Sequence, residues 1–496
     1  MRAIQLHRFA SCIEPDARRV LARPFIPGDW ANITAGSRVE AVVQRILAIP
    51  DEKIAGLLEQ VRRRFASRHA DFDAVLDHHA ALVAEHLPTD GISADRRRLV
   101  GAYFTQEYAV EAAAITNPSI VPAPEQRGVA PGELRFVLSA RAIGEGHISS
   151  VAFRSGTLDV AGGVRMDPAG RHVVGGMRQE PSYDRRIFER RLVEYGADEE
   201  AVAFALGRIP HRFTMEELET WLHRIDGDQF SGAPIHEALR LAHWLAASNY
   251  VTTFPETSAI GERVLFPAGP TESRGMEDAR FVHFAEDDGT HVYYATYTAF
   301  DGFMTLPQLI ETPDFRTFSI ATLNGVQSQT KGMALFPRRV GGSYAALTRP
   351  DRESIAITMA DHVREWGAAP QVILRPGSTP WDLVQLGNCG SPIETSAGWL
   401  VLTHGVGPMR RYVLGAMLLD RDDPTRILGA LPDALLEPAE DQRDGYVPNV
   451  VYSCGGLIHQ DWFVVPYGYA DVGTGIAVFA LDDLLERLTG APAGAA

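Results

Sequence analysis

The 496-residue chain is expected to be mainly β, a closed array of short strands such as a propeller, with a helical extension before it and a helical insertion within it. Three observations predict this. From about residue 116 to 481, short runs rich in Val, Ile, Phe, Tyr and Thr recur between turns built from Gly, Asp and Pro. Residues 1–115 instead carry apolar side chains at three- and four-residue spacing. That helical spacing returns once, over about residues 183–245.

In chain order, 39–49, 54–65, 72–87 and 96–113 read as helices of the N-terminal extension, because few alternating runs interrupt them. Asn117-Pro118-Ser119 marks the change of texture. Strand candidates follow at 135–139, 147–153, 291–297, 344–347, 399–404, 450–453 and 462–466. Their even spacing over more than three hundred residues suits a closed array better than a simple sandwich. Within the insertion, Glu216-Glu217-Leu218-Glu219-Thr220-Trp221-Leu222 has the helical period, and Asp482 to Leu488 reads as a closing helical turn.

Composition excludes several functions. The net charge of −16 opposes a nucleic-acid polyanion or an anionic membrane surface as partner. No apolar run is long enough for a membrane span, and the first residues lack the apolar core of a secretory signal, so a cytoplasmic location is expected. Cys12, Cys389 and Cys454 are too scattered for a disulfide framework, and with His404 they have no zinc-ligand spacing. No metal is expected. No glycine-rich dinucleotide fingerprint opens a helix, so no NAD or FAD is expected either.

Arg274-Gly275-Met276-Glu277-Asp278-Ala279-Arg280 is the most informative stretch. Two adjacent carboxylates stand between arginines at the start of a strand. On a regular strand neighbouring side chains face opposite sides, which predicts one catalytic carboxyl and one structural anchor. A surface ion-pair cluster would need the same residues. Lysine carries a second signal, since only Lys53 and Lys331 remain among 47 basic residues. Lys331, just before an apolar run, sits where a compact ammonium could be required. Further polar clusters lie at strand ends and turns: Arg141 to His147, Arg349-Pro350-Asp351-Arg352, Gly387 to Thr395, Thr403 to Gly407, Tyr446 to Asn449 and Tyr467 to Asp471. Carboxylates, amides, aromatics and several cations together suit a polyhydroxylated ligand and a small anion.

The run Gly275 to Phe281, the segment Lys331 to Pro337, the loop and strand Pro392 to His404, and Tyr467-Gly468 with Asp471 resemble glycoside hydrolase family 130. That family comprises five-bladed-propeller β-mannoside phosphorylases and some β-mannosidases. The resemblance covers about residues 116–481. It implies a five-bladed β-propeller catalytic domain over 116–490, with residues 1–115 and the insertion similar to extensions of the longer members. Enzymes acting on β-1,2-linked mannooligosaccharides occur among those members.

By this resemblance Asp278 is the proton donor to the glycosidic oxygen, directly or through a sugar hydroxyl, and its pKa is expected to be raised. Lys331 and Arg349 match phosphate-binding positions, and His404 a histidine beside that phosphate. Asp471 matches an acid that holds the sugar at the −1 subsite. Arg141, His147, Glu277, Arg280, Glu394 and Tyr467 are expected to contribute to substrate binding, with Arg280 and Glu277 orienting Asp278 without pairing to it. The expected partners are a β-mannooligosaccharide and inorganic phosphate as co-substrate. The N-terminal helices suit either a roof over acceptor subsites or a homo-oligomer interface.

One position departs from the family pattern. Many family phosphorylases carry lysine in the loop aligned with Pro392 to Thr395, where this chain has Glu394. A glutamate there would repel phosphate or activate water. Against this, Lys331 is kept in a chain with two lysines, and Arg141, Arg349, Arg410 and Arg411 could supply replacement charge, so the leading expectation is an inverting phosphorylase releasing α-mannose 1-phosphate. The alternatives are an inverting β-mannosidase with Asp278 as acid and Glu394 as base, and a non-catalytic sugar-binding propeller.

Overall fold

The computed structural model describes residues 6–27, 35–179, 181–226, 232–325 and 331–490. The fold is mainly β. Most strands fall into five antiparallel groups of four or five, the first two of which belong to one larger sheet. The first group is Ala114–Pro122, Leu134–Ile143, Ser149–Leu158 and Val164–Met166. The second is Gly275–Ala285, His291–Phe300, Thr305–Thr312 and Thr317–Thr322. The third runs from Lys331–Leu335 through Tyr344–Arg349 and Ile355–Ala360 to Gln371–Leu374. In the fourth, Gln385–Asn388 and Ile393–Thr395 both pair with Gly398–Val406, followed by Tyr412–Leu419 and Ile427–Ala430.

The fifth group takes its outer strand from the other end of the chain. Val451–Tyr452 and Leu457–His459 pair with Trp462–Tyr469, which pairs with Gly473–Ala480, and Leu6–Ile13 completes the sheet. The N-terminal 115 residues are thus not wholly helical. The polar and basic residues of Leu6–Ile13 disguise a strand, because an outer strand does not need the apolar alternation of a buried one.

Alternating side chains from facing groups fill a core at each interface. Phe153 packs edge-on against Phe281 and Phe315 between the first and second groups. Phe284, Leu335 and Ala346 join the second to the third, and Leu347, Trp399 and Met417 join the third to the fourth. Leu402, Leu414, Val465 and Tyr467 join the fourth to the fifth, and Ile120, Leu138, Val464 and Val478 the fifth to the first. Each of these interior residues is almost wholly removed from water, so every group depends on two neighbours for its core.

The insertion holds helices Arg185–Glu194, Glu199–Leu206, Met215–Asp226 and Ala233–Ala247 around its own apolar cluster, including Phe188, Leu206, Leu218 and Leu245. Asp184 and Asp198 accept hydrogen bonds from Ile187 N and Ala201 N and so start the first two of these helices. The strands Met177–Gln179 and Tyr250–Thr253 flank the insertion and extend the second sheet.

A separate compact unit comprises Asp16–Ala112 with Gly170–Gly175. It contains helices Ala35–Leu47, Asp51–Phe65, Phe72–Ala81 and Ala94–Tyr103, packed through Val43, Ile46, Ile54, Leu99 and Val100. The helix expected over 96–113 ends at Tyr103, and Thr105–Ala109 instead pairs with Val20–Pro24. Among the described residues no helix is long and apolar enough to cross a membrane.

Candidate active site

The first strands of the groups meet through polar contacts of Asn117, Glu277, Asp278, Arg280, Lys331, Asn388 and Tyr452. Glu277 and Asp278 lie where the Gly275–Ala285 strand slips register between Glu277 and Arg280, and Asp278 has a left-handed backbone, φ 56°. A bulge of this kind re-aims side chains. The strict alternation expected for Glu277 and Asp278 therefore fails, and both carboxylates come under the charges of Arg141 and Lys331. Arg141 Nη2 donates to Glu277 Oε1 at 2.7 Å, and Lys331 Nζ lies 3.9 Å from Glu277 Oε2. Arg141, Arg280 and Lys331 also act on Asp278 through their charges.

Asn117 Nδ2 donates to Asp278 Oδ1 at 2.6 Å, and Arg280 Nη2 lies 3.6 Å from Asp278 Oδ2. Arg280 was expected to orient Asp278 without pairing; it does approach the carboxylate. It is also fixed elsewhere, donating from Nε to the Cys389 carbonyl at 2.7 Å, from Nη1 to the Asp278 carbonyl at 2.8 Å, and from Nη2 to Tyr452 Oη at 2.9 Å.

These contacts overturn the expected direction of the Asp278 pKa. Burial pushes the carboxyl up, but the charge of Arg280, then Arg141, the Asn117 hydrogen bond and Lys331 together hold it below the usual aspartate value. Asp471 is the raised carboxyl. Burial is the main cause, Asp278 adds repulsion, and Arg141 and Arg410 oppose the rise. In the resting site Asp471 is thus held toward its protonated form and Asp278 toward its anion.

Lys331 and Arg349 are directly opposite each other on paired strands. The Lys331 ammonium is half-exposed, whereas Arg349 is buried, donates to the Arg352 carbonyl, and leaves its Nε sealed from water without a hydrogen-bond partner. His404 lies beside Arg349. Both border Gly387, where an added Cβ would stand 2.5 Å from His404 Cε1 and 2.9 Å from Arg349 Nε. His404 is buried, with its ring edge-on to Tyr452 at 4.9 Å. Burial, then the charges of Arg349 and Arg280, hold its pKa well below the usual histidine range, so the ring is neutral at pH 7. Asn388 donates to the Gly332 carbonyl at 2.8 Å, and its Oδ1 is buried without a partner.

His147 lies on an exposed turn after the strand that carries Arg141 and stacks on Tyr446 with ring centroids 5.7 Å apart. Two expected residues stand elsewhere. Tyr467 is buried in the core between the fourth and fifth groups, where its hydroxyl meets Gln442 at 3.2 Å. Tyr467 follows strand alternation inward, so its ring lies in the apolar packing between these groups.

Glu394 is the second correction. Arg338 grips it through two bonds of 2.9 and 2.7 Å, and Arg421 Nε lies at 3.2 Å. The Arg338 hydrogen bond, against a smaller burial effect, holds its pKa below the usual glutamate value. Glu394 borders a cavity lined also by Phe281, Val282, His283 and Ala285, whereas Asp278 does not line it. With Arg338 and Arg421 on its carboxylate, Glu394 does not stand free to take a proton.

Sequence reasoning did not single out Asn117 or Tyr452 for the site, and it had Asn388 only as part of a turn-rich polar loop. Asn117 stood only as a turn signal, although an asparagine before proline with φ 50° is a position that favours a local polar role. Among the described residues no group of three or more His, Cys, Asp or Glu side chains is placed to hold a metal ion.

A family model described as beta-1,4-mannooligosaccharide phosphorylase matches residues 255–489. The 1,2-beta-oligomannan phosphorylase of Thermoanaerobacter sp. (strain X514) is 34% identical over 226 residues, 43% of this chain and 71% of the relative. The beta-1,2-mannobiose phosphorylase of Listeria innocua is 31% identical over 231 residues, 45% of this chain and 63% of the relative. A solved structure of beta-1,2-mannobiose phosphorylase from Listeria innocua with beta-1,2-mannobiose is similar at 20% identity with a TM-score of 0.45, covering 76% of this chain and 92% of that one. The matched span contains Asp278, Lys331, Arg349, His404 and Asp471, and with 34% identity across 71% of the Thermoanaerobacter relative the chain belongs to glycoside hydrolase family 130.

Proposed function

We propose that this chain is an inverting phosphorylase of β-linked mannooligosaccharides, β-1,2 linkages favoured, and that its five strand groups are the blades of a five-bladed propeller. The reading of the fold is supported by the apolar core found at each of five successive interfaces, the last of which returns to the first group. Residues 1–115 and 183–245 are then an extension and an insertion on that domain.

One observation carries the reaction: around Asp278 stand the cations Arg141, Arg280, Lys331 and Arg349. A hydrolase needs a second carboxylate to activate water. Phosphate is already a nucleophile and needs cations to hold it. Asp278 donates a proton to the glycosidic oxygen, directly or through a sugar hydroxyl, as the bond from that oxygen to the anomeric carbon breaks. A phosphate oxygen forms the new bond from the opposite face, which gives α-mannose 1-phosphate and a shortened acceptor. Lys331 and Arg349 hold the phosphate, with neutral His404 beside it. Asp471 and Arg141 hold the −1 sugar, and His147 stands at the rim.

The low pKa of Asp278 in the resting site fits an acid that takes up its proton once phosphate binds. Bound phosphate offsets the cations that depress the carboxyl and adds like-charge repulsion, both of which raise its pKa. Known names of relatives agree, since those quoted above are phosphorylases. The mannosidase reading loses its base, because Glu394 is bound to Arg338 and Arg421.

Purified protein incubated with β-1,2- and β-1,4-mannobiose, with and without inorganic phosphate, tests this. Mannose 1-phosphate formed only with phosphate is the expected result. Free mannose at an equal rate without phosphate overturns it.

A further inference from the structure

The helical insertion and the edge of the second strand group enclose a cavity of about 280 Å³ that shares no residue with the Asp278 site. Three arginines line it: Arg191 on the helix Arg185–Glu194, Arg212 beyond the next helix, and Arg364 in the loop after Ile355–Ala360. Ser182 and Ser319 add hydroxyls to the same wall.

The arginines are unequally satisfied. Arg364 donates from Nη2 to Glu311 at 2.9 Å, and Glu365 is taken by Arg190 at 2.7 Å. Arg191 has its Nε sealed from water without any hydrogen-bond partner. Burial, and then the like charge of Arg364, lower its pKa, against the opposing fields of Tyr195, Glu365 and Glu194. The acid in the wall, Asp184, is already committed: it caps Ile187 N at 3.2 Å and lies 3.4 Å from His211 Nδ1.

A desolvated guanidinium facing a like charge across a cavity is unfavourable until an anion enters. The planar fork of arginine matches phosphate oxygens in pairs, and three such groups suit a dianion better than a single carboxylate. The volume is at the small end for ligand sites and suits a monosaccharide-sized molecule. We propose that this cavity binds a small phosphate monoester, its phosphate held by Arg191 and Arg364 and its other polar atoms by Ser182 and Ser319. This site is separate from the one proposed for catalysis and does not depend on the reaction assigned there.

The test is titration calorimetry on the full chain carrying Lys331→Met, which removes a cation of the Asp278 site, with mannose 1-phosphate and inorganic phosphate as the probes. A saturable site that prefers the ester is expected, and adding Arg191→Gln should weaken it about tenfold or more. Equal or tighter binding of inorganic phosphate overturns the monoester assignment, and unchanged binding after Arg191→Gln overturns the site. Amide hydrogen exchange over Arg185–Glu194 in the Lys331→Met chain gives a reading that needs no change in the cavity. Slower exchange with mannose 1-phosphate is expected, and no change counts against the proposal.

Discussion

The Asn117 amide donates to Asp278 Oδ1 at 2.6 Å across 161 residues of sequence, and both residues have left-handed backbones. Two strained positions on different strand groups are thus locked to each other. Such strain persists where surrounding structure over-determines it. Here it keeps the carboxyl facing inward at a bulge, where a regular strand would have turned either Glu277 or Asp278 away.

Asp278→Asn keeps the shape of the side chain and its contact with Asn117 but removes the transferable proton. Turnover on β-1,2-mannobiose should fall by about 10²–10⁴-fold, the usual worth of a positioned acid. Steady-state release of mannose 1-phosphate measures this. Retention of substantial turnover would mean another group is the donor.

The pH profile should depend on phosphate. A general acid works in its protonated form, so the rate falls as pH rises through its pKa. Asp278 is depressed in the resting site by Arg280, Arg141 and Lys331, among other contacts. Saturating phosphate raises that pKa and should move the falling limb to higher pH than in limiting phosphate. Lys331→Met should shift the limb in the same direction while raising KM for phosphate. Profiles taken at two phosphate concentrations check both signs.

Glu394→Gln should leave phosphorolysis within about threefold of the parent, because Glu394 faces Arg338 and Arg421. Stability should fall by about 0–1 kcal/mol, the range for a partly exposed pair. Kinetics and thermal melting read the two effects separately. A collapse of activity with an unchanged melt would restore Glu394 to the chemistry.

Gly387→Ala places a methyl 2.5 Å from His404 Cε1 and 2.9 Å from Arg349 Nε. Neither buried ring nor buried guanidinium can yield freely. Displacement by about 1 Å costs up to roughly 10²-fold, and the loss should appear mainly in KM for phosphate. An unchanged KM would show that Arg349 and His404 do not hold the anion.

Tyr467→Phe removes a hydroxyl that meets Gln442 in the core. It should cost about 1 kcal/mol of stability and leave KM for mannooligosaccharide unchanged. A raised KM with an unaltered melt would return Tyr467 to the substrate.

The sequence made the β texture, the helical insertion and the Asp278 motif legible, because each is a local pattern. Asp278, Lys331 and Arg349 could be selected one by one. Their common geometry could not, since it depends on a bulge that changes the face of one side chain and on strand pairing that sets Lys331 opposite Arg349. Tyr467 and Glu394 were misplaced for the same reason: a motif gives position along the chain but not which end or face of a strand a side chain occupies. The strand Leu6–Ile13 was hidden because its partner, Gly473–Ala480, lies at the far end of the sequence.

That pairing has a consequence for biogenesis. Leu6–Ile13 is synthesised well before Gly473–Ala480, the strand it pairs with. At about 5–20 residues per second the wait is roughly half a minute to a minute and a half. During that interval one strand edge has no native partner, which is the exposure that invites pairing with another nascent chain. Yield in the cell should therefore respond to translation speed and to chaperones that shield early strands.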